Sequence, residues 1–187
     1  MNRFIENLDL SANGTWLPII VGVIVLGFML FMPKRLRWTE IYLTFGVVGF
    51  VTFFMDIAVM AGFFDVFDLG KPAVVGVGDI ISYSVIPSCI AIIFLNYYQK
   101  DKKWMYVGLF TLLSFLFEWG LVQVGFMELK GWKTWWSIPV YIFVFGFWLP
   151  WHFNLIRKLN VIGEEKYRVE KKIDVGRIFR LKEKGKP

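Results

Sequence analysis

The chain has 187 residues, of which 57% are hydrophobic and 19% aromatic, with 21 Lys and Arg against 15 Asp and Glu for a formal charge of +6. An ordinary soluble domain is about 45–50% apolar, so this composition excludes that class. The basic excess is not a nucleic-acid signature either, because no base-stacking aromatics or recognisable binding module accompany it.

The apolar residues are gathered in blocks, and a run of about 18 or more reads as a transmembrane helix. Five such blocks follow one another, at residues 16–32, 41–63, 73–95, 105–127 and 135–153. Each can cross a ~30 Å hydrocarbon core at a rise of about 1.5 Å per residue, the first only just. They are apolar all round, whereas strands of a membrane barrel are shorter and alternate. The expected fold is therefore all-α: a polytopic membrane protein with a five-helix transmembrane bundle over residues 1–153 and a basic tail over 154–187.

The first block follows a polar segment whose only basic residue is Arg3. It runs into Pro33-Lys34-Arg35 instead of a small-residue cleavage site, so it reads as a mature helix and not a signal peptide. "PKRLR" then makes a tight basic turn into the second block, which carries Asp56 in "FFMDIAV". "DVFDLGKP" is acidic and ends in Gly and Pro, as a turn between helices should. The third block carries Asp79 in "GVGDIIS" and the single cysteine, Cys89, a small apolar filler that excludes any internal disulfide. "YQKDKK" makes the second basic turn, and the fourth block carries Glu118 in "FLFEWG". The fifth offers Tyr141, Trp148 and His152, the last near its end in "LPWHFN". His152 is read as an interfacial hydrogen-bonding residue, with a proton relay as the sharper alternative.

Basic residues set the orientation. The Lys and Arg counts of the six flanking segments run 1, 3, 1, 3, 2 and 11, so one set of alternate segments holds 17 and the other 4. Basic flanks stay cytoplasmic, which puts the N-terminus outside and the tail inside. Trp16, Trp38, Tyr97, Tyr98, Trp104, Trp132, Trp135 and Trp136 mark the same borders with rings that favour the headgroup level. "KKIDVGRIFRLKEK" in the tail is a solvated topology determinant or a segment lying on anionic inner-leaflet lipids, at about 1 kcal/mol per basic residue.

Three of the 15 acidic residues, Asp56, Asp79 and Glu118, fall well inside blocks, and no Lys or Arg shares a block with any of them. Counting from the outer borders sets all three at a similar depth, roughly 10–12 Å down at 1.5 Å per residue. Each sits on a small or polar helical stripe: Gly49, Thr52 and Asp56; Gly76, Asp79, Ser82 and Tyr83; Thr111, Ser114, Glu118 and Gly125. Small residues let helices approach, and hydroxyls bond across the contact. The expectation is an ion- or proton-binding site of Asp56, Asp79 and Glu118, supported by Ser82, Tyr83, Ser114 and Tyr141, in a water-accessible pocket opening outward. Three charges together in a low dielectric need a proton or a cation to offset their repulsion. The alternative is that one or more of the acids is hydrogen-bonded glue between helices.

Other motifs carry little. "GVGD" lacks the third glycine and preceding strand of a nucleotide-binding turn, "NGT" is a common chance match to a glycosylation sequon, and no Cys/His cluster points to zinc. No cofactor is legible.

The five-block layout, "FEWG" in the fourth block and "WLPWHFN" closing the fifth before a basic tail resemble an uncharacterised family of small multi-pass membrane proteins from endospore-forming Gram-positive bacteria. The resemblance implies a bacterial plasma membrane and brings no activity. Three function classes stand open: transport or ion coupling through the acids; a structural or assembly subunit, in a homo- or hetero-oligomer; and an intramembrane enzyme acting on a lipid or isoprenoid, with one acid as general acid. The enzyme reading lacks a nucleophile or second catalytic group, and the transport reading lacks an internal repeat.

Overall fold

The structure is a computed structural model and describes residues 9, 12–71 and 75–163. The tail segment 171–184 lies outside the described residues. The chain is predominantly helical. Helix α1 spans Trp16–Phe31, and four further helices, α2 (Trp38–Phe63), α3 (Val77–Tyr97), α4 (Lys100–Gln123) and α5 (Thr134–Gly163), are long and apolar enough to cross a membrane. At 16 residues α1 is the shortest of the five, in keeping with its marginal length in the sequence.

The chain divides into two compact units, Met1–Pro150 and Trp151–Pro187. In the second, the described residues continue as helix to Gly163, and the Arg157 guanidinium lies 4.1 Å from the centre of the Phe153 ring. All that follows concerns the first.

α3 is the most enclosed of the long helices, with 56% of its apolar window buried against 17% for α2 and 28% for α4. Its partners explain how. A Cβ at Gly49 of α2 would lie 2.8 Å from Ser84 Oγ and 2.9 Å from Ser88 Oγ, so glycine lets the two helices close up. The hydroxyls they bring are used across the contact: Ser88 Oγ donates to the Phe45 carbonyl at 3.0 Å, and Thr52 Oγ1 to the Tyr83 carbonyl at 2.5 Å. Hydroxyls and glycines hold apolar helices together where burial of more hydrocarbon gains nothing. On the other side a Cβ at Gly22 of α1 would lie 2.6 Å from the Ile81 side chain. Phe94 packs its ring against Phe110 of α4 and Phe145 of α5, at centroid distances of 5.3 and 5.2 Å.

Three stretches are wound as π-helix: Phe54–Phe63 in α2, Ile81–Val85 in α3 and Val144–Trp148 in α5. Such segments are uncommon and recur at functional sites. The first contains Asp56, and the second Ser82 and Tyr83.

The segment expected to be a plain turn, "DVFDLGKP", holds a strand. Strand β1 (Phe67–Leu69) pairs antiparallel with β2 (Met127–Leu129), in the register Phe67 to Leu129, Asp68 to Glu128 and Leu69 to Met127. Each strand alternates apolar and acidic residues. Phe67, Leu69 and Met127 turn inward and cluster with Leu121 and Phe126, and Asp68 and Glu128 turn away. Lys130 ties the ribbon down from outside, its ammonium 2.6 Å from Asp65 and 2.9 Å from Asp68. The Val66 carbonyl accepts the backbone N–H groups of Lys130, Gly131 and Trp132 at 2.9, 3.0 and 3.2 Å. The ribbon thus joins the α2–α3 connection to the α4–α5 connection.

Candidate functional site

Glu118 lies on the packed face of α4. Val107, Phe110, Thr111, Ser114, Glu118 and Leu121 are buried, and their spacings of three and four residues describe one helical stripe. Neighbouring α5 opens with Ser137 and Tyr141, four residues apart and hence on a common face. The Ser137 hydroxyl donates to Glu118 Oε1 at 2.7 Å, and the Tyr141 phenol donates to Oε2 at 2.5 Å. Trp132 Nε1 in turn donates to Ser137 Oγ at 3.0 Å. The indole is fixed because the backbone N–H of Trp132 is held on the Val66 carbonyl beside the ribbon. Both carboxylate oxygens therefore have a donor, and none of these donors is a base.

Asp56 enters from α2. Its carboxyl group is half-buried and close enough to Glu118 to repel it. Tyr83 from α3 stands among the acids: its phenol feels the charges of Asp56, Glu118 and Asp79. The Tyr83 ring stacks on Phe67 of β1 at 6.1 Å, and its hydroxyl reaches Met127 Sδ of β2 at 3.8 Å. The Thr52 bond to the Tyr83 carbonyl ties the π-wound part of α3 to α2 just before its own π-wound part. A tyrosine that touches both strands of the ribbon therefore also borders the carboxyl groups.

Asp79 has different direct partners. It is the third residue of α3, and its Oδ2 accepts the N–H of Gly76 at 2.8 Å. That is the work of an acid in a first helical turn, where N–H groups lack intrahelical partners. Asp9 lies close to it across Gly70. Gly70 has φ +51°, and a Cβ there would fall 2.8 Å from Asp9 Oδ2, so both backbone conformation and space call for glycine. Asp9 accepts the N–H of Lys71 at 2.9 Å and pairs with its ammonium at 3.1 Å.

The remaining expected residues divide in the same way. Tyr141 bonds Glu118 directly, and Ser114 is buried one turn before it on the same face. Ser82 is buried with no hydrogen-bond partner for its hydroxyl among the described residues. The structure thus brings Asp56, Glu118, Tyr83 and Tyr141 together, while the direct bonds of Asp79 are to its own helix start. Among the described residues no three His, Cys, Asp or Glu side chains converge as a metal centre would need. Tyr83 also packs against the apolar face of the ribbon, an element the expected open pocket did not include.

Two members escaped the sequence reading. Ser137 stands four residues before Tyr141, and that spacing was the available signal. Trp132 was read only as a border ring. No protein-family model matches the chain, and neither do any of the curated proteins or solved structures.

Proposed function

We propose that this chain is a multi-pass membrane protein that binds and releases a proton or a small cation at Asp56 and Glu118, as part of a transport or ion-coupling cycle. The reading is supported by Glu118, whose two oxygens accept hydroxyl donors, and by Asp56 of another apolar helix within its electrostatic range, neither acid having an ion-pair partner among the described residues. Like charges in a water-poor medium repel far more than in bulk water. A positive charge is what the pair lacks, and a proton or a monovalent ion supplies it. Ser137 and Tyr141 can hold the Glu118 oxygens in place while that charge comes and goes. Under this reading all five helices span, in a plasma membrane, with the N-terminus outside and the C-terminus cytoplasmic, as the basic flanks require. The ribbon then covers the outer approach to the acids.

The test is a thermal-shift series on wild type and Glu118→Gln across common mono- and divalent cations and between about pH 5 and 9. Wild type should respond to pH or to one ion, and Glu118→Gln should remain folded and lose that response. If neither protein responds, the site reading fails.

A second reading has its own support. Because each Glu118 oxygen already has a donor, the residue could serve only to join α4 to α5 in a structural or assembly subunit. Glu118→Gln would then be nearly neutral, and Glu118→Ala would cost about 1–2 kcal/mol, as lost interhelical bonds do.

A further inference from the structure

At the end of α3 remote from the acids, Asn96 is buried and both halves of its amide are used. Its Oδ1 accepts the N–H of Arg35 at 2.7 Å, and its Nδ2 donates to the Pro33 carbonyl at 3.0 Å. One side chain of α3 thereby fastens the turn between α1 and α2. The Arg35 guanidinium is set 6.0 Å from the Tyr97 ring, and two residues beyond Tyr97 begins the second basic turn.

The clamp sets one basic turn against the end of α3, and a second basic turn follows that end directly in the chain. Residues 33–37 contribute Lys34, Arg35 and Arg37, and residues 99–103 contribute Lys100, Lys102 and Lys103; the only acid within these two turns is Asp101. Glu40 accepts the backbone N–H of Arg37 at 2.9 Å. Among the described residues Lys34, Arg35, Lys100 and Lys102 have no ion-pair partner. Aromatic rings frame the patch. Lys34 lies 4.2 Å from the centre of the exposed Trp38 ring, and Lys103 lies 5.1 Å from that of the exposed Trp104. Exposed tryptophans at helix ends belong at the headgroup level of a bilayer, so the cations beside them stand where lipid phosphates are.

We infer that the Asn96-clamped turn and the adjoining lysine turn form a binding site for the phosphate headgroup of an anionic glycerophospholipid. Arg35, its backbone held by Asn96, offers its guanidinium fork to the phosphate oxygens, and Lys100 and Lys102 add charge that a zwitterionic lipid would not reward. Immobilising the turn on Asn96 in advance lowers the ordering cost of binding. This inference needs the chain to sit in a membrane. It depends neither on which side the site faces nor on the acids of the preceding section, and it is separate from the tail.

The experiment uses the full chain in nanodiscs holding a phosphatidylglycerol probe with a photoreactive diazirine next to the headgroup, compared with the matching phosphatidylcholine probe. Labelled residues are mapped by mass spectrometry. Adducts from the phosphatidylglycerol probe should concentrate on residues 33–38 and 97–104. Arg35→Gln/Lys100→Gln/Lys102→Gln should lower that labelling by more than about tenfold, since each basic residue at a membrane surface contributes severalfold to binding. If the triple variant does not fold, the contrast between the two probes on wild type decides by itself. Equal labelling by both probes, or labelling confined to the tail, overturns the site.

Discussion

Asn96 of α3 and Glu118 of α4 are both buried polar side chains with a partner on every side-chain oxygen. The amide of Asn96 is neutral, and its bonds to Arg35 and Pro33 give both its oxygen and its nitrogen a partner and leave no charge. Glu118 has as many bonds, from Ser137 and Tyr141, but a second carboxyl group, Asp56, stands within its electrostatic reach. Hydrogen-bond satisfaction and charge satisfaction are different conditions. A group that meets both is a fastener. A group that meets only the first is, under the proposed function, a place for a proton or a cation.

The largest effect that could break this comparison is expected at the fastener. Asn96→Ala should destabilise the protein by about 2–4 kcal/mol, because the Arg35 N–H and the Pro33 carbonyl each lose their buried partner. Chemical denaturation in micelles measures it, and a loss under about 1 kcal/mol would mean water replaces the amide. Tyr141→Phe, at the other of the two, removes one donor from Glu118 and should cost about 1 kcal/mol. A cost as large as that of Asn96→Ala would make the carboxylate as firm a fastener as the amide and erase the distinction. Combining Tyr141→Phe with Glu118→Gln in a double-mutant cycle sharpens it: the pair should couple, whereas Asn96→Ala and Glu118→Gln, which share no partner, should add.

The smallest effect belongs to the surface of the ribbon. Hydrogen bonds from Lys130 to Asp65 and Asp68 raise its pKa above the ordinary value of 10.5. A lysine whose folded pKa is raised stabilises fully below its unfolded pKa and loses that contribution as pH climbs through the folded one. The melting temperature of wild type should therefore fall slightly more than that of Lys130→Ala above about pH 10.5. The two should run parallel at neutral pH, and a divergence there would assign the ion pair a role this exposed geometry does not give it.

How much of this the sequence disclosed depended on range. The helices were legible because long apolar blocks are a property of each segment alone, and Glu118 was legible as a charge out of place. Its partners were not. Ser137 is an unremarked residue at a helix start, and Trp132 has the look of any border ring; only the packing of α5 on α4 makes them donors. The ribbon escaped because three residues are too few to show a convincing alternation, although "FDL" and "MEL" do alternate. Asp79 shows the reverse. A common depth grouped it with the other acids, while "GVGD" already set an acid three residues after a glycine that begins a helix, a spacing at which the carboxylate can reach back to the glycine N–H.

The ribbon also fixes an order of events. Its closing ion pair joins residues 65 positions apart, and β2 follows α4 in the chain. During synthesis α2 and α3 are therefore made well before the strand that will pair with β1. Until α4 and its following turn arrive, Asp56 lacks Glu118, and Phe67 and Leu69 wait without their apolar cluster. Pairings so distant along the chain come late, because the intervening loop must be closed before any contact repays it. A newly made chain that stalls before β2 would display an unpaired edge on β1 and an uncovered Phe67 and Leu69, the kind of surface that invites wrong pairing and aggregation.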